Sequence, residues 1–204
     1  MNDRRALPNP PCTMVLVRHA TSKGSGSFLG QNDQPLNAAG RRQLKYLVAK
    51  LSRFHFHAAF ASDLMRSRTT ALAAVTPLDL KLEPRPGLRE MHFGRWQGLS
   101  WEQIRRRYPR LATLWLKRFP LQPIPGAERF PHFKKRVKTE LKRIVAGNRG
   151  RCVLVVTHAG VIRIALADAL GVTDRNMFRL AQDYCAVNVI DHFAGGVTVR
   201  CVNG

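Results

Sequence analysis

Two stretches of the chain are apolar without interruption and rich in β-branched residues, "MVLV" at 14–17 and "CVLVVT" at 152–157. Continuous apolar runs of this length fit strands covered on both faces, as in a parallel sheet. "HAAFAS" at 57–62 is a third candidate strand, and "LDLKLEP" holds a fourth. Between them the period becomes helical: Leu44, Leu47, Val48 and Leu51 recur at i, i+3, i+4 and i+7, and Phe133, Val137, Leu141, Ile144 and Val145 share one face of a later helix. "SWEQIRRRYP" opens with Ser100 three residues before Gln103, the capping-box arrangement, and Pro109 ends that helix and can start another. An inserted helical pair is predicted there. "AVNVID" and "GVTVRCV", joined through "HFAGG", predict a hairpin closing the sheet edge. Strand alternating with helix predicts an α/β fold.

The 204 residues, 45% of them hydrophobic, suffice for one domain with its own core, expected over residues 13–204. Residues 1–12, "MNDRRALPNPPC", read as a loose tail without the apolar stretch of a secretory signal. The most apolar segment, "VIRIALADALGV", is interrupted by Arg163 and Asp168 and falls short of the roughly 20 residues that span a bilayer. Cys12, Cys152, Cys185 and Cys201 are scattered with no CxxC pair, so neither a zinc cage nor a disulfide framework is indicated. A cytoplasmic protein with no membrane partner is the expectation. The sequence is compatible with a homodimer and does not specify one.

Thirty-four Lys and Arg against thirteen Asp and Glu give a formal charge of +21, which raises a positive potential and draws in anions. Most of the cations fall on outward helix positions, among them Arg41, Arg42 and Lys45, Arg105 to Arg107, and Lys134, Lys135, Lys138 and Lys142. Trp101, Trp115 and Phe133 keep phase with the apolar stripes instead of alternating with the cations, which argues against a dedicated nucleic-acid domain.

The chemistry gathers at strand ends. His19 follows one predicted strand and His158 another, and the carboxyl ends of parallel strands lie together at the ligand-binding edge. His158 also precedes a helix whose N-terminal N–H groups favour an anion. Arg18 and Arg66 bring two guanidinium groups to the same edge, a match for phosphate oxygens. A neutral imidazole attacks phosphorus, and a leaving alkoxide then needs a proton, for which Glu90 in "GLREMHFGRWQGL" is the candidate. Thr21, Ser22 and Gln31 lie where they could add hydroxyl or amide contacts to phosphate. Each residue has a plainer reading: structural histidines, surface ion pairs for Arg18 and Arg66, a pairing of Glu90 with Arg89 or Arg95. Glu128 either helps hold the pocket arginines or begins a helix with a favourable dipole contact. His55, His57, His92, His132 and His192 read as structural or exposed.

"LVRHATS", "FLGQNDQPLNAAG", "ASDLMRSRTTA", "LREMHFGRWQGL", "PGAERFPHFKKRV" and "VTHAGVIR" occur in the order and spacing of the histidine phosphatase superfamily, the phosphoglycerate mutase-like proteins, which this chain resembles over roughly residues 13 to 170. The resemblance implies a three-layer α/β/α sandwich with a mostly parallel central sheet and a short helical insertion. It implies a metal-independent phosphatase acting on a small phosphorylated substrate through a phosphohistidine, with no cofactor. His19 is then the nucleophile, Arg18, Arg66 and His158 the phosphate pocket, and Glu90 the proton donor and later base. Ala20 and Thr21 depart from the Gly and Glu or Gln that most members carry after the nucleophile; neither departure touches a charged catalytic position. The run through "GSFLGQNDQPL" resembles the α-ribazole phosphatase-like branch, implying an α-ribazole-5′-phosphate-like substrate. Two alternatives stand beside it: phosphotransfer of the phosphoglycerate mutase type, against which the short insertion counts, and a non-enzymatic polyanion-binding module, whose affinity would fall steeply with salt.

Overall fold

The computed structural model describes residues 10–204. Its strands are β1 (Cys12–Arg18), β2 (Ala58–Ala61), β3 (Leu82–Pro84), β4 (Cys152–Thr157), β5 (Val187–His192) and β6 (Val197–Cys201), and they form one sheet in the order β3-β2-β4-β1-β5-β6. The first four in that order run parallel, and β5 and β6 complete the sheet antiparallel.

The uninterrupted apolar runs follow from two-sided burial. Along β1, Met14 and Leu16 enter one apolar cluster with Val153 and Val155 of β4, while Val15 and Val17 enter the other with Leu154 and Val156. Successive side chains point to opposite faces, so a strand covered on both sides has no place for a polar residue. Helices α5 (Phe130–Ala146) and α6 (Ala159–Leu170) cover the first face through Val137, Leu141, Ile162 and Leu166. Helices α1 (Ala38–Leu51) and α2 (Met65–Val75) cover the second through Leu47, Leu51, Ala71 and Val75. The result is the α/β/α sandwich.

The insertion forms as predicted. α3 (Trp101–Arg107) opens on a complete capping box, with Ser100 Oγ accepting from Gln103 N at 3.2 Å and Gln103 Oε1 accepting from Ser100 N at 2.9 Å. Pro109 occupies the first turn of α4 (Pro109–Arg118), where its missing N–H costs nothing. Buried Ile104, Ala112 and Trp115 seat the pair on the α5 and α6 side.

Three expectations need correction. The tail ends earlier than residue 12: Cys12 is the first residue of β1, 1% exposed, because its side chain falls on the covered face; residues 1–9 lie outside the described residues. "LDLKLEP" yields a strand of three residues only, since residues 76–78 form a 3-10 turn begun by Pro77 and leave Asp79 left-handed. Finally, the strand at 57–62 is confined to Ala58–Ala61. Among the described residues no helix is long and apolar enough to cross a membrane.

Candidate active site

β1 and β4 are neighbours in register, Arg18 opposite Thr157, so His19 and His158 leave adjacent strand ends side by side. Their ring centroids lie 5.1 Å apart at 63°. Both are buried, 5% and 1% exposed. Burial, with the neighbouring charge of Arg66 and Arg18, holds both imidazoles well below their ordinary pKa of 6.5, and both are neutral at pH 7.

The hydrogen bonds select one tautomer of His19. Nδ1 lies 2.7 Å from the Ala20 carbonyl, which only accepts, so Nδ1 carries the proton. Arg66 Nε donates to Nε2 at 3.2 Å, and an arginine only donates, so Nε2 holds a lone pair. Two independent partners agree. His158 Nε2 meets the Ser62 hydroxyl at 2.9 Å, and its Nδ1 has no protein partner.

Arg66 comes from the first turn of α2 and is 1% exposed. It is anchored by backbone carbonyls, with Nη1 donating to Asn32 at 2.8 Å and Nη2 to Gly30 at 2.6 Å. Burial lowers its pKa, against which the charges of Glu90 and Asp33 work. Arg18 donates from Nη1 to the Gln182 carbonyl at 2.5 Å and lies 3.7 Å over the Tyr184 ring, while its Nε has no protein partner. Among the described residues neither arginine joins an ion pair, which removes the surface-pair reading.

Glu90 does not pair with Arg89 or Arg95; Arg89 instead grips Asp63. Its carboxylate accepts from Met91 N at Oε1 and from Gly160 N at Oε2, each at 2.9 Å. Gly160 N is one of the first N–H groups of α6, so the helix terminus expected to face a ligand anion holds the carboxylate of Glu90 as well. Arg136 of α5 fastens the segment that carries Glu90. It donates to the carbonyls of Gly87 (3.0 Å), Arg89 (2.9 Å) and Glu90 (3.4 Å), and Glu128 grips it through both carboxylate oxygens at 3.0 and 2.7 Å. Glu128 therefore holds Arg136, and neither pocket arginine.

Arg18, His19, Arg66, Glu90 and His158 line one cavity of about 470 Å³. Thr21, Ser22 and Gln31 do not line it. The Thr21 hydroxyl and N–H are both taken by Gln43 of α1, Ser22 is fully buried in a bridge to Leu36, and Gln31 donates to the Glu90 carbonyl. Their nearness in sequence misleads because the loop that follows Ala20 turns away from the cavity, Thr21 meeting Gln43 of α1 and Ser22 pairing with Leu36. Sequence reasoning missed Ser62, Arg136 and Tyr184. Ser62 follows β2 and was accessible to the same strand-end argument that found His19; Arg136 shares the "PGAERFPHFKKRV" run with Glu128, and Tyr184 carries no local signal. Trp115 and Phe133, read as core from their spacing, line the same cavity. Among the described residues no three His, Cys, Asp or Glu side chains are grouped so as to hold a metal ion.

Residues 14–204 match the family model of the histidine phosphatase superfamily (branch 1). A bifunctional protein of Mycobacterium tuberculosis is 32% identical over 197 residues, which are 95% of this chain and 54% of that protein, so the chain spans about half the length of such relatives. Phosphoserine phosphatase 1 of Hydrogenobacter thermophilus is 28% identical over 87% of this chain and 85% of its own length. Among solved structures, the alpha-ribazole phosphatase of Shigella flexneri superposes with a TM-score of 0.85 at 24% identity, covering 94% of this chain and 96% of that one.

Proposed function

The chain belongs to the histidine phosphatase superfamily, and from that premise we propose that it is a metal-independent phosphatase that hydrolyses a small phosphomonoester through a phosphohistidine on His19. The observation that carries the reading is the bare Nε2 of a neutral His19, fixed from both sides by Ala20 and Arg66. A neutral imidazole with a defined lone pair is the form that attacks phosphorus.

The substrate phosphoryl group enters between Arg18, Arg66 and His158. Its oxygens take over the Arg66 Nε–H from His19 and find unpartnered polar atoms at Arg18 Nε and His158 Nδ1. Ser62 Oγ accepts from Leu64 N, so its own proton can turn to His158 Nε2 and leave the Nδ1 proton for a phosphoryl oxygen. His19 Nε2 then forms the P–N bond as the P–O bond to the alcohol breaks. Glu90, protonated on a carboxylate lone pair not used by Met91 or Gly160, gives its proton to the leaving oxygen. In the second half the Glu90 carboxylate takes a proton from water, the water oxygen bonds to phosphorus, and the P–N bond breaks to return neutral His19 and release phosphate. The guanidinium groups carry the charge of the transferring group throughout.

Relatives named as phosphoserine phosphatases and as adenosylcobalamin/alpha-ribazole phosphatases support a phosphomonoester substrate. The "GQNDQPL" run favours the α-ribazole-5′-phosphate-like branch. The test is a phosphatase panel on wild type and His19→Ala with chelator present. Chelator-resistant hydrolysis, lost in the variant, with an acid-labile, base-stable phosphoenzyme trapped from radiolabelled substrate, is the expected result. Hydrolysis that needs a divalent metal or survives the substitution overturns the reading, and phosphoryl return to a bound sugar acid without release of phosphate identifies a mutase.

A further inference from the structure

Beyond Arg18 and Arg66 the cavity opens into a chamber walled by aromatic rings. Phe28, Phe93, Trp115, Phe119 and Phe178 line it. Phe28 meets Phe93 edge-on at 5.1 Å, and Phe178 lies 4.8 Å from Phe119 and 5.6 Å from Trp115. At the mouth Phe178 is 48% exposed and Leu116 is 62% exposed. Single exposed apolar residues are ordinary on any protein. These two line the same cavity as the buried rings, so their exposed surface continues the chamber outward.

Charge in the chamber is sparse. The one lining carboxylate is Glu90, and the lone pairs that Met91 and Gly160 leave open are those that carry the proton for the leaving oxygen, so a substrate ammonium competes with that proton for its one anion. Beyond the phosphate end the one lining cation is Arg163, whose Nε is spent on the Leu180 carbonyl and whose guanidinium lies 5.5 Å over Phe178. A second carboxylate or phosphate on the substrate would meet aromatic carbon over most of the wall and lose hydration there, with the terminal nitrogens of Arg163 the one cationic contact beyond the phosphate end. A cavity of about 470 Å³ takes a body of two fused rings beside the phosphoryl group.

Building on the phosphatase reading, we infer that this site selects phosphomonoesters whose alcohol carries a flat, uncharged, apolar body, and discriminates against phosphoamino acids and phosphorylated sugar acids. Each apolar group seated in such a wall contributes roughly tenfold or more in selectivity. Trp115 and Phe119 of this wall belong to the α3–α4 insertion and Phe178 to the 174–179 turn, whereas His19 and His158 sit on strand ends, so much of the leaving-group choice is separable from chemistry.

The experiment has a binding arm and a turnover arm. Calorimetry compares 2-(1-naphthyl)ethylphosphonate with ethylphosphonate, neither of which can be hydrolysed; at least tenfold tighter binding of the naphthyl compound is expected. Initial rates then compare 2-(1-naphthyl)ethyl phosphate, propyl phosphate and phosphoserine; the first two leave as simple primary alcohols, so a difference between them reports the wall. A tenfold advantage in kcat/KM for the naphthyl ester over both others is expected, narrowed at least fivefold in Phe178→Ala, a surface position chosen so that the variant folds. Equal binding of the two phosphonates, preference for phosphoserine, or an unchanged ratio in Phe178→Ala overturns the inference. Tight naphthylphosphonate binding without hydrolysis of any ester removes the phosphatase reading and leaves the chamber assignment standing; His19-dependent hydrolysis without discrimination does the reverse.

Discussion

Arg66 Nε stands 3.2 Å from His19 Nε2 and donates its proton to the lone pair that would attack phosphorus. The same guanidinium that guards the nucleophile is thus placed to receive the phosphoryl oxygens. In the proposed reaction the donor transfers to them on arrival and the lone pair is freed, which makes binding and activation one event. Binding of phosphate should therefore shift the His19 Nε2 nitrogen resonance toward that of an unbonded imidazole nitrogen, while Nδ1 stays protonated against Ala20. An Nδ1 that loses its proton on ligand binding would contradict the assignment.

His19 and His158 are both held below 6.5, and His192 is lowered as well, in each case chiefly by burial. The unfolded chain accepts these protons below pH 6.5 and the folded chain refuses them. Stability is therefore fully present above 6.5 and is lost as the pH falls below it, by up to about 1.4 kcal/mol per pH unit for each histidine. Urea titrations between pH 6.5 and 5.5 should show this slope, reduced in His158→Gln. Stability that rises on acidification through that window would refute it.

A methyl group added at Gly160 collides with Glu90 Oε1. The helical backbone there accepts alanine, and the obstacle is the end of a flexible side chain, so Glu90 moves and the fold does not. Gly160→Ala should lower kcat by about 100-fold or more, the contribution of a placed general acid, with little change in the thermal midpoint. Retained activity would show that Glu90 acts from another position.

Arg136 is a positioning residue, since it reaches the chemistry only through the backbone of Gly87, Arg89 and Glu90. Arg136→Met should depress kcat about tenfold or more with KM nearly unchanged. It should also destabilise the protein by roughly 3 kcal/mol, because Glu128 and the carbonyls lose their donors. Arg136→Lys should recover little of the lost kcat, a point charge being unable to span three carbonyls and a carboxylate. A drop in stability alone, with kcat intact, would reduce Arg136 to a structural role.

Thr21 gives a test of opposite sign. Its hydroxyl bonds Gln43 at 2.7 Å, away from the cavity. Thr21→Val should cost about 1 kcal/mol of stability. Inhibition by inorganic phosphate, measured as Ki, should move less than twofold, and a large rise in Ki would return Thr21 to the phosphate site.

What the sequence made legible follows a physical rule. His19 and His158 could be placed because a continuous apolar run marks a doubly covered strand, and parallel strands present their carboxyl ends together. Arg66 and Glu90 were reachable by the same rule with looser aim, one lying in the first turn of α2 and the other after a 3-10 turn. Tyr184 was not, because its role depends on where distant segments cross; Arg136 stood within "PGAERFPHFKKRV", but a motif does not say which carbonyls its guanidinium will reach. Trp115 joins the core as its spacing predicts and also lines the cavity, which spacing could not show because residues facing a core and residues facing a cavity share the same helical period. Thr21, Ser22 and Gln31 failed for the complementary reason: closeness along the chain says little once a turn intervenes.

The 5.1 Å between the two imidazoles is close to the spacing of about 4.8 Å at which neighbouring strands hydrogen-bond. The gauge of the reactive pair thus starts from the backbone ladder of β1 and β4, with Arg66 and Ser62 fixing the rings upon it. A lineage could exchange its insertion and alter which alcohols it admits while the two rings kept their separation unchanged. Appetite and machinery can thus drift apart under selection, one in the rim and the other locked to the ladder.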